Sequence, residues 1–234
     1  RMKLKGVVRR IRLLAWTLLT LAVAATVQAG AVTKLTSNNV EDLNTDAAVD
    51  VSGNVHVVFE RAGNIYYRGR TGTTWSDEEL VAAGTNPAVG AGASSVPQVA
   101  FLSGGGIWFT ARVGGTWMAP VPIGTGTAVD LAVDAGDIGH VAYLANTDTS
   151  GDSAGYVDLN YTNNAGGAFP PSPIKIWSSW YYYDGWGRSA SYFQDYAPRI
   201  AVDAAGHYAI AYSHRWINGA SGWTDWGTEL HVYR

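Results

Sequence analysis

Short runs of alternating apolar and polar residues recur along the chain at a nearly constant interval. Phe59, Phe101 and Tyr143 are 42 positions apart, and Trp75 and Trp117 repeat that step. Four stretches line up with one another, the first three on this period. They are DAAVDVSGNVHVVFERAGNIYYRGRTGTTW from 46 and NPAVGAGASSVPQVAFLSGGGIWFTARVGGTW from 86. The third is TAVDLAVDAGDIGHVAYL from 127, resuming at GYVDLNYTNNAGGAF from 155, and the fourth is APRIAVDAAGHYAIAYS from 197, resuming at TELHVYR from 228.

Each copy reads as one antiparallel meander. A first strand (Ala48-Val49, Ala88-Val89, Ala132-Val133, Ala201-Val202) ends in Asp or Gly at a tight turn. A second runs into Phe59, Phe101, Tyr143 or Tyr212. A third carries Ile65-Tyr66-Tyr67, Ile107-Trp108-Phe109, Leu159-Asn160-Tyr161 or Leu230-His231-Val232, and a fourth follows the turn at Trp75, Trp117 or Phe169. Such a meander has a face it cannot bury alone, so neighbouring copies must stack.

A period of roughly 40–50 residues with several strands per copy predicts an all-β chain, a small β-propeller of about four four-stranded blades. The repeats lie near 46–84, 86–124, 127–178 and 197–234, within a domain from 30 to 234. The fourth copy reaches Arg234 after its third strand, while Val32 to Thr36 reads as an orphan strand. Pairing of that strand near Leu230 to Tyr233 would complete the last blade and close the ring, leaving no open edge. A truncated larger propeller is the other reading of the same ends.

The segment before the repeats reads differently. Arg1, Lys3, Lys5, Arg9, Arg10 and Arg12 precede an apolar run from Leu13 to Val27, followed by Gln28 and the small Ala29. That order is expected of a Sec-type signal peptide over 1–29, cleaved after Ala29 and directing the rest to the periplasm or outside the cell. The apolar run is shorter than the roughly 20 residues that span a bilayer as a helix. Residues 30–234 hold all nineteen acids and only ten of the sixteen Lys and Arg, a net charge of −9. This balance argues against nucleic acid as a partner, and against a membrane once the signal is removed. There is no cysteine, hence no disulfide and no thiolate metal site.

At the turns before the fourth strands, Thr162-x-Asn164-x-Gly166-x-Ala168-Phe169 resembles the Asp-box, the Ser-x-Asp-x-Gly-x-Thr-Trp turn of sialidase-like, BNR-repeat propellers. Gly72-x-Thr74-Trp75 and Gly114-x-Thr116-Trp117 match its second half, with Arg70 and Arg112 in place of Asp. The resemblance implies a propeller fold over 46–234, with these turns on the outer rim away from any site. It implies nothing firm about activity, because sialidase chemistry needs an arginine cluster, a Tyr–Glu pair and an acidic proton donor. Arg188, Arg199 and Arg215 are available, but the family's arginine motif near the start is missing.

Most of the candidate chemistry is aromatic. The insertion 179–196 interrupts the period, and six of the ten tryptophans fall between 177 and 226. Tyr181 to Tyr196 reads as a long loop, and INGASGWTDWGTEL (217–230) as a second one. The first joins a fourth strand to a first and the second joins a second strand to a third, connections that share one face of a stack of meanders. Trp180, Tyr182, Trp186, Arg188, Trp223 and Trp226 are therefore expected to form a ligand surface, flat rings suiting the apolar face of a sugar. The alternative is an aromatic lid packed on the domain. Asp184, Asp195, Asp225 and Glu229 are the acids available if the chain is an enzyme. Asp148, Ser150 and Asp152 have the alternate-oxygen spacing of a calcium loop, without the later Glu or the Gly; no cofactor is expected, calcium being the only candidate.

Asp50, Asp134 and Asp203 read as turn formers, and His56 and His140, replaced by Gln98 and Ala209 in the other copies, as strand filler. No H-E-x-x-H, G-x-S-x-G, P-loop or dinucleotide motif is present. The expected function is a secreted binding module for carbohydrate or cell-surface glycan. The alternatives are a polysaccharide-active glycoside hydrolase or lyase, and a protein-interaction scaffold.

Overall fold

The computed structural model describes residues 33–146, 154–182, 192–193, 198–218 and 223–233, with backbone alone at 146, 154–156, 179–182, 192–193, 213–218 and 223–233. The chain divides into a unit over Arg1–Asn38 and a larger one over Asn39–Arg234. In the first, residues 33–37 belong to no strand. The strand expected over Val32 to Thr36 is therefore not formed at 33–36, Val32 lying outside the described residues.

The described part of the larger unit contains no helix and eighteen strands in four antiparallel sheets, none closed on itself. The first sheet holds β1 (Leu43–Val49), β2 (Val55–Arg61), β3 (Asn64–Thr71), the two-residue β4 (Thr74–Trp75) and β5 (Glu79–Ala83). The second repeats it with β6 (Thr85–Ala91), β7 (Pro97–Ser103), β8 (Gly106–Val113), β9 (Thr116–Trp117) and β10 (Val121–Thr125). The third holds β11 (Ala128–Val133), β12 (Gly139–Asn146), β13 (Ala154–Asn163) and β14 (Ile174–Tyr182). In the fourth, β15 (Tyr192–Phe193) and β16 (Arg199–Val202) pair along one side of β17 (Tyr208–Asn218), and β18 (Trp223–Tyr233) pairs along the other. The meander expected of each copy is thus present in full in three sheets, and as three rows in the fourth.

The middle strands β2, β7 and β12 carry continuous rather than alternating apolar runs because they are covered on both faces. Val58, Val99 and Val141 are wholly buried, with Phe59, Phe101 and Tyr143 beside them. Three apolar clusters fill the spaces between successive sheets: Val58, Ile65, Tyr67 and Phe101 in one, Ala100, Ile107, Leu131 and Tyr143 in the next, Leu144, Leu159, Ile210 and Tyr212 in the last. The turn aromatics belong to these interfaces. Trp117 meets Tyr67 of the first sheet edge-on at 5.3 Å, and Phe169 meets Phe109 of the second at 4.8 Å. Trp177 of the third sheet packs on Tyr212 of the fourth at 5.3 Å.

Two stretches expected to be loops are strand where they are described. Tyr181 and Tyr182 continue β14, and Trp223 to Leu230 belong to β18, which pairs with β17 over eleven residues without a register shift. The reason is cross-strand pairing: the ladder outlasts the repeat because β17 offers an extended partner as far as Asn218.

Candidate functional site

The first strands of the four sheets, β1, β6, β11 and β16, lie side by side in that order. Together they line one cavity of about 410 Å³, from Asp46–Val49, Val89–Ala91, Asp130–Val133 and Arg199–Val202. A second cavity of about 290 Å³ shares Asp46 and Arg199 with it and is lined by Asn44, Thr45, Asn86 and Thr127 near the starts of the first three strands. The small residues at Ala47, Ala48, Gly90, Ala91 and Ala132 leave this space open, since bulky side chains there would meet across it.

Asp46, Ala88, Asp130 and Arg199 stand at equivalent positions, each four residues before the turn at Asp50, Gly92, Asp134 or Asp203. Two of them latch one sheet to the next. The Val89 amide donates to Asp46 Oδ2 at 2.8 Å, and the Ile200 amide donates to Asp130 Oδ2 at 2.8 Å. The latches span 43 and 70 residues of sequence, the second longer because the insertion intervenes. Arg199 Nη1 stands 3.5 Å from Asp130 Oδ1, with its side chain 72 % exposed. Burial pushes the Asp130 carboxyl up to about 6. The Ile200 amide and Arg199 draw it back, while the nearby charge of Asp46 adds to the rise. Two carboxylates, one reluctant to ionise, and one solvent-facing guanidinium therefore share a single cavity.

A second constellation lies deeper. Asp50 Oδ1 accepts the amides of Ser52 and Asn54, both at 2.9 Å, which caps the turn as expected of that residue. Its other oxygen faces His56 Nε2 at 3.3 Å, and His56 Nδ1 meets the Tyr67 hydroxyl at 2.8 Å. The third sheet repeats the string, with Asp134 facing His140 at 3.3 Å and His140 meeting Tyr161 at 2.7 Å. Hydrogen bonds to the charged form hold both carboxyls well below the usual range despite their burial. In the second sheet all three members change together, to Gly92, Gln98 and Phe109. Gly92 is required there, because a Cβ would collide with the Asp134 carbonyl of the neighbouring turn. The histidines are thus not filler: they join a turn to a third strand, and an all-buried position of that kind is structural before it is catalytic.

The expected site residues fall in three groups. Trp180 and Tyr182 lie on β14, opposite Tyr156 and Ala154 and on one face of the ladder. Trp223, Asp225, Trp226 and Glu229 lie on β18, opposite Asn218, Trp216, Arg215 and Tyr212, with positions 223 and 226 on opposite faces. Asp148, Ser150, Asp152, Asp184, Trp186, Arg188 and Asp195 lie outside the described residues. The two aromatic stretches do meet at the backbone, since Tyr192 and Phe193 of the insertion pair with Ile217 and Trp216. Among the described residues no cluster of three or more His, Asp or Glu stands ready for a metal ion. No family model and no curated protein matches the chain.

Asp46 and Asp130 were not among the residues singled out in the sequence, and Arg199 was named only as one of three arginines that sialidase chemistry could draw on. The signal was available: an acid stands four residues before the turn Asp in two copies, and an arginine in a third.

Proposed function

We propose that the chain is a secreted four-bladed β-propeller of sialidase-like kind that serves as a binding module for carbohydrate. The ligand sits at the axial mouth where the first strands begin. The observation that carries this reading is the composition of that mouth. Asn44, Thr45, Asn86 and Thr127 supply amide and hydroxyl groups, and Asp46 and Arg199 supply one charge of each sign. Sugar hydroxyls are both donors and acceptors, and planar amide, carboxylate and guanidinium groups match them in pairs. The aromatic insertion leads in sequence directly into Pro198 and Arg199, and Tyr192 and Phe193 are paired with the end of β17. Both features support rings beside the polar mouth, where they would cover the apolar face of the same ligand.

A glycan array on residues 30–234 tests the reading, followed by Arg199→Ala and the pair Trp186→Ala with Trp223→Ala on any hit. Loss of Arg199 should weaken binding about tenfold or more, and loss of two stacking rings by tens of fold, at about 1 kcal/mol each. An array without hits, or affinities unchanged in all variants with folding intact, sinks the proposal.

One observation favours a second reading, a glycoside hydrolase. Asp130 titrates near 6 in the same cavity as Asp46, the pairing that acid–base cleavage uses. Turnover of a bound glycan that disappears in Asp130→Asn while binding persists would favour the hydrolase over the binder.

A further inference from the structure

A clasp of charged residues joins the first sheet to the second. Arg112 donates to both oxygens of Glu79, at 2.7 and 2.9 Å, and the Trp117 indole donates to Glu79 at 3.2 Å. Glu79 stands opposite Tyr67 in its own sheet, while Arg112 and Trp117 lie three and eight positions beyond Phe109 in the next. An acid offered by one sheet is thus received by an Arg–Trp pair of the sheet after it. At the following junction both halves change together. The residue opposite Phe109 is Val121, and three and eight positions beyond Tyr161 stand Asn164 and Phe169. Where no carboxylate is offered, neither a guanidinium nor an indole stands ready to receive one.

The first sheet carries the receiving half. Arg70 and Trp75 are three and eight positions beyond Tyr67 and stand opposite each other across β3 and β4. Tyr67 packs toward the second sheet, so alternation along β3 puts Arg70, and Trp75 with it, on the face turned away from that sheet. Among the described residues no carboxylate pairs with Arg70, and no hydrogen bond reaches it or the Trp75 indole. The guanidinium lies over the Trp75 ring, 5.8 Å from its centroid. Its Nε is buried without an acceptor, but the two terminal nitrogens are not buried, and they are the atoms a ligand meets. Val49 and Val55 continue the row across the sheet, and Val49 is 65 % exposed, so the row opens to solvent.

We propose that Arg70 and Trp75 receive the glutamate side chain of an extended strand presented by a partner protein. Arg112 holds Glu79 through Nε and one terminal nitrogen; Arg70, with Nε covered, offers its two terminal nitrogens to the carboxylate end-on. That fork fits a carboxylate with two parallel bonds, and the indole N–H adds a third. An extended strand is favoured over a free anion by the apolar neighbours. Val49 and Val55 suit a side chain two positions along from the glutamate, as Val81 follows Glu79 in β5.

The test titrates the protein with an acetylated and amidated peptide of sequence DEELVAA, copying residues 77–83, and with the same peptide carrying Glu79→Gln, following the tryptophan indole signals by NMR. Loss of one signal in Trp75→Phe and of another in Trp117→Phe assigns them. The acidic peptide should saturate the protein by about 5 mM and move the Trp75 signal. The Trp117 signal should stay in place, because that indole already has its carboxylate. The Gln peptide should bind about tenfold more weakly or worse, and Arg70→Gln should weaken the acidic peptide by a similar factor. No saturation, equal binding of the two peptides, a shift confined to Trp117, or parental affinity in Arg70→Gln would each overturn the proposal. The comparison of the two peptides uses the parent protein, so it stands even if Arg70→Gln disturbs the fold.

Discussion

Replacing Asp130 by Asn removes a carboxylate, in the cavity between the first strands, that the fold holds against its ionised form. The side chain is 9 % exposed, and its carboxyl titrates near 6 in the folded protein against 3.8 for an ordinary aspartate. The folded value lies above the unfolded one, so the protonated acid is the form that folding favours. The stability this group contributes is complete below about pH 4 and is lost as pH rises through about 6. The difference corresponds to about 3 kcal/mol. An asparagine keeps the shape and can accept the Ile200 amide through its own carbonyl. Arg199, largely exposed, is free to turn to solvent. Asp130→Asn should therefore match the parent at pH 4 and gain on it by about 3 kcal/mol by pH 8. Asp50, Asp134 and Asp203 have lowered values and work in the opposite direction, losing their stabilisation as pH falls. Their effect is common to both proteins and cancels in the difference. Urea unfolding of the pair at half-unit steps from pH 4 to pH 8 measures it. Parallel profiles would refute the argument, and so would a variant that loses ground as pH rises.

Two further outcomes are expected. Tyr67→Phe and Tyr161→Phe each strip a buried histidine nitrogen of its partner and should cost about 1–3 kcal/mol by chemical denaturation; a neutral result in both would mean that the Asp–His–Tyr strings do not hold their turns to the third strands. Phe101→Ala, at a ring 1 % exposed between the first two sheets, should cost about 3–5 kcal/mol and lower the melting temperature accordingly.

Much of the fold could be read from the chain because it follows from local rules. Alternation along a strand is written into every copy, a step of 42 residues joins the first three, and the doubly covered middle strands appear as apolar runs such as Val99 to Leu102. The hairpin of β17 and β18 escaped that reading. Asp225 and Gly227 look like loop composition, and only pairing with a long partner strand overrides it. His56 and His140 were misread for a related reason. Their replacement by Gln98 looked like freedom to vary, whereas in the second sheet the Asp and the Tyr change along with the histidine, and that coordination exists only once β2 and β3 are paired.

The sites depend still more on tertiary structure. Asp46, Asp130 and Arg199 share a cavity although the chain between them runs through three sheets, because the first strands of the four sheets lie side by side. A repeat specifies its own strands through nearest neighbours. Which residues meet between repeats is decided by how the sheets pack, and that is where Asp46, Asp130 and Arg199 come to line one cavity.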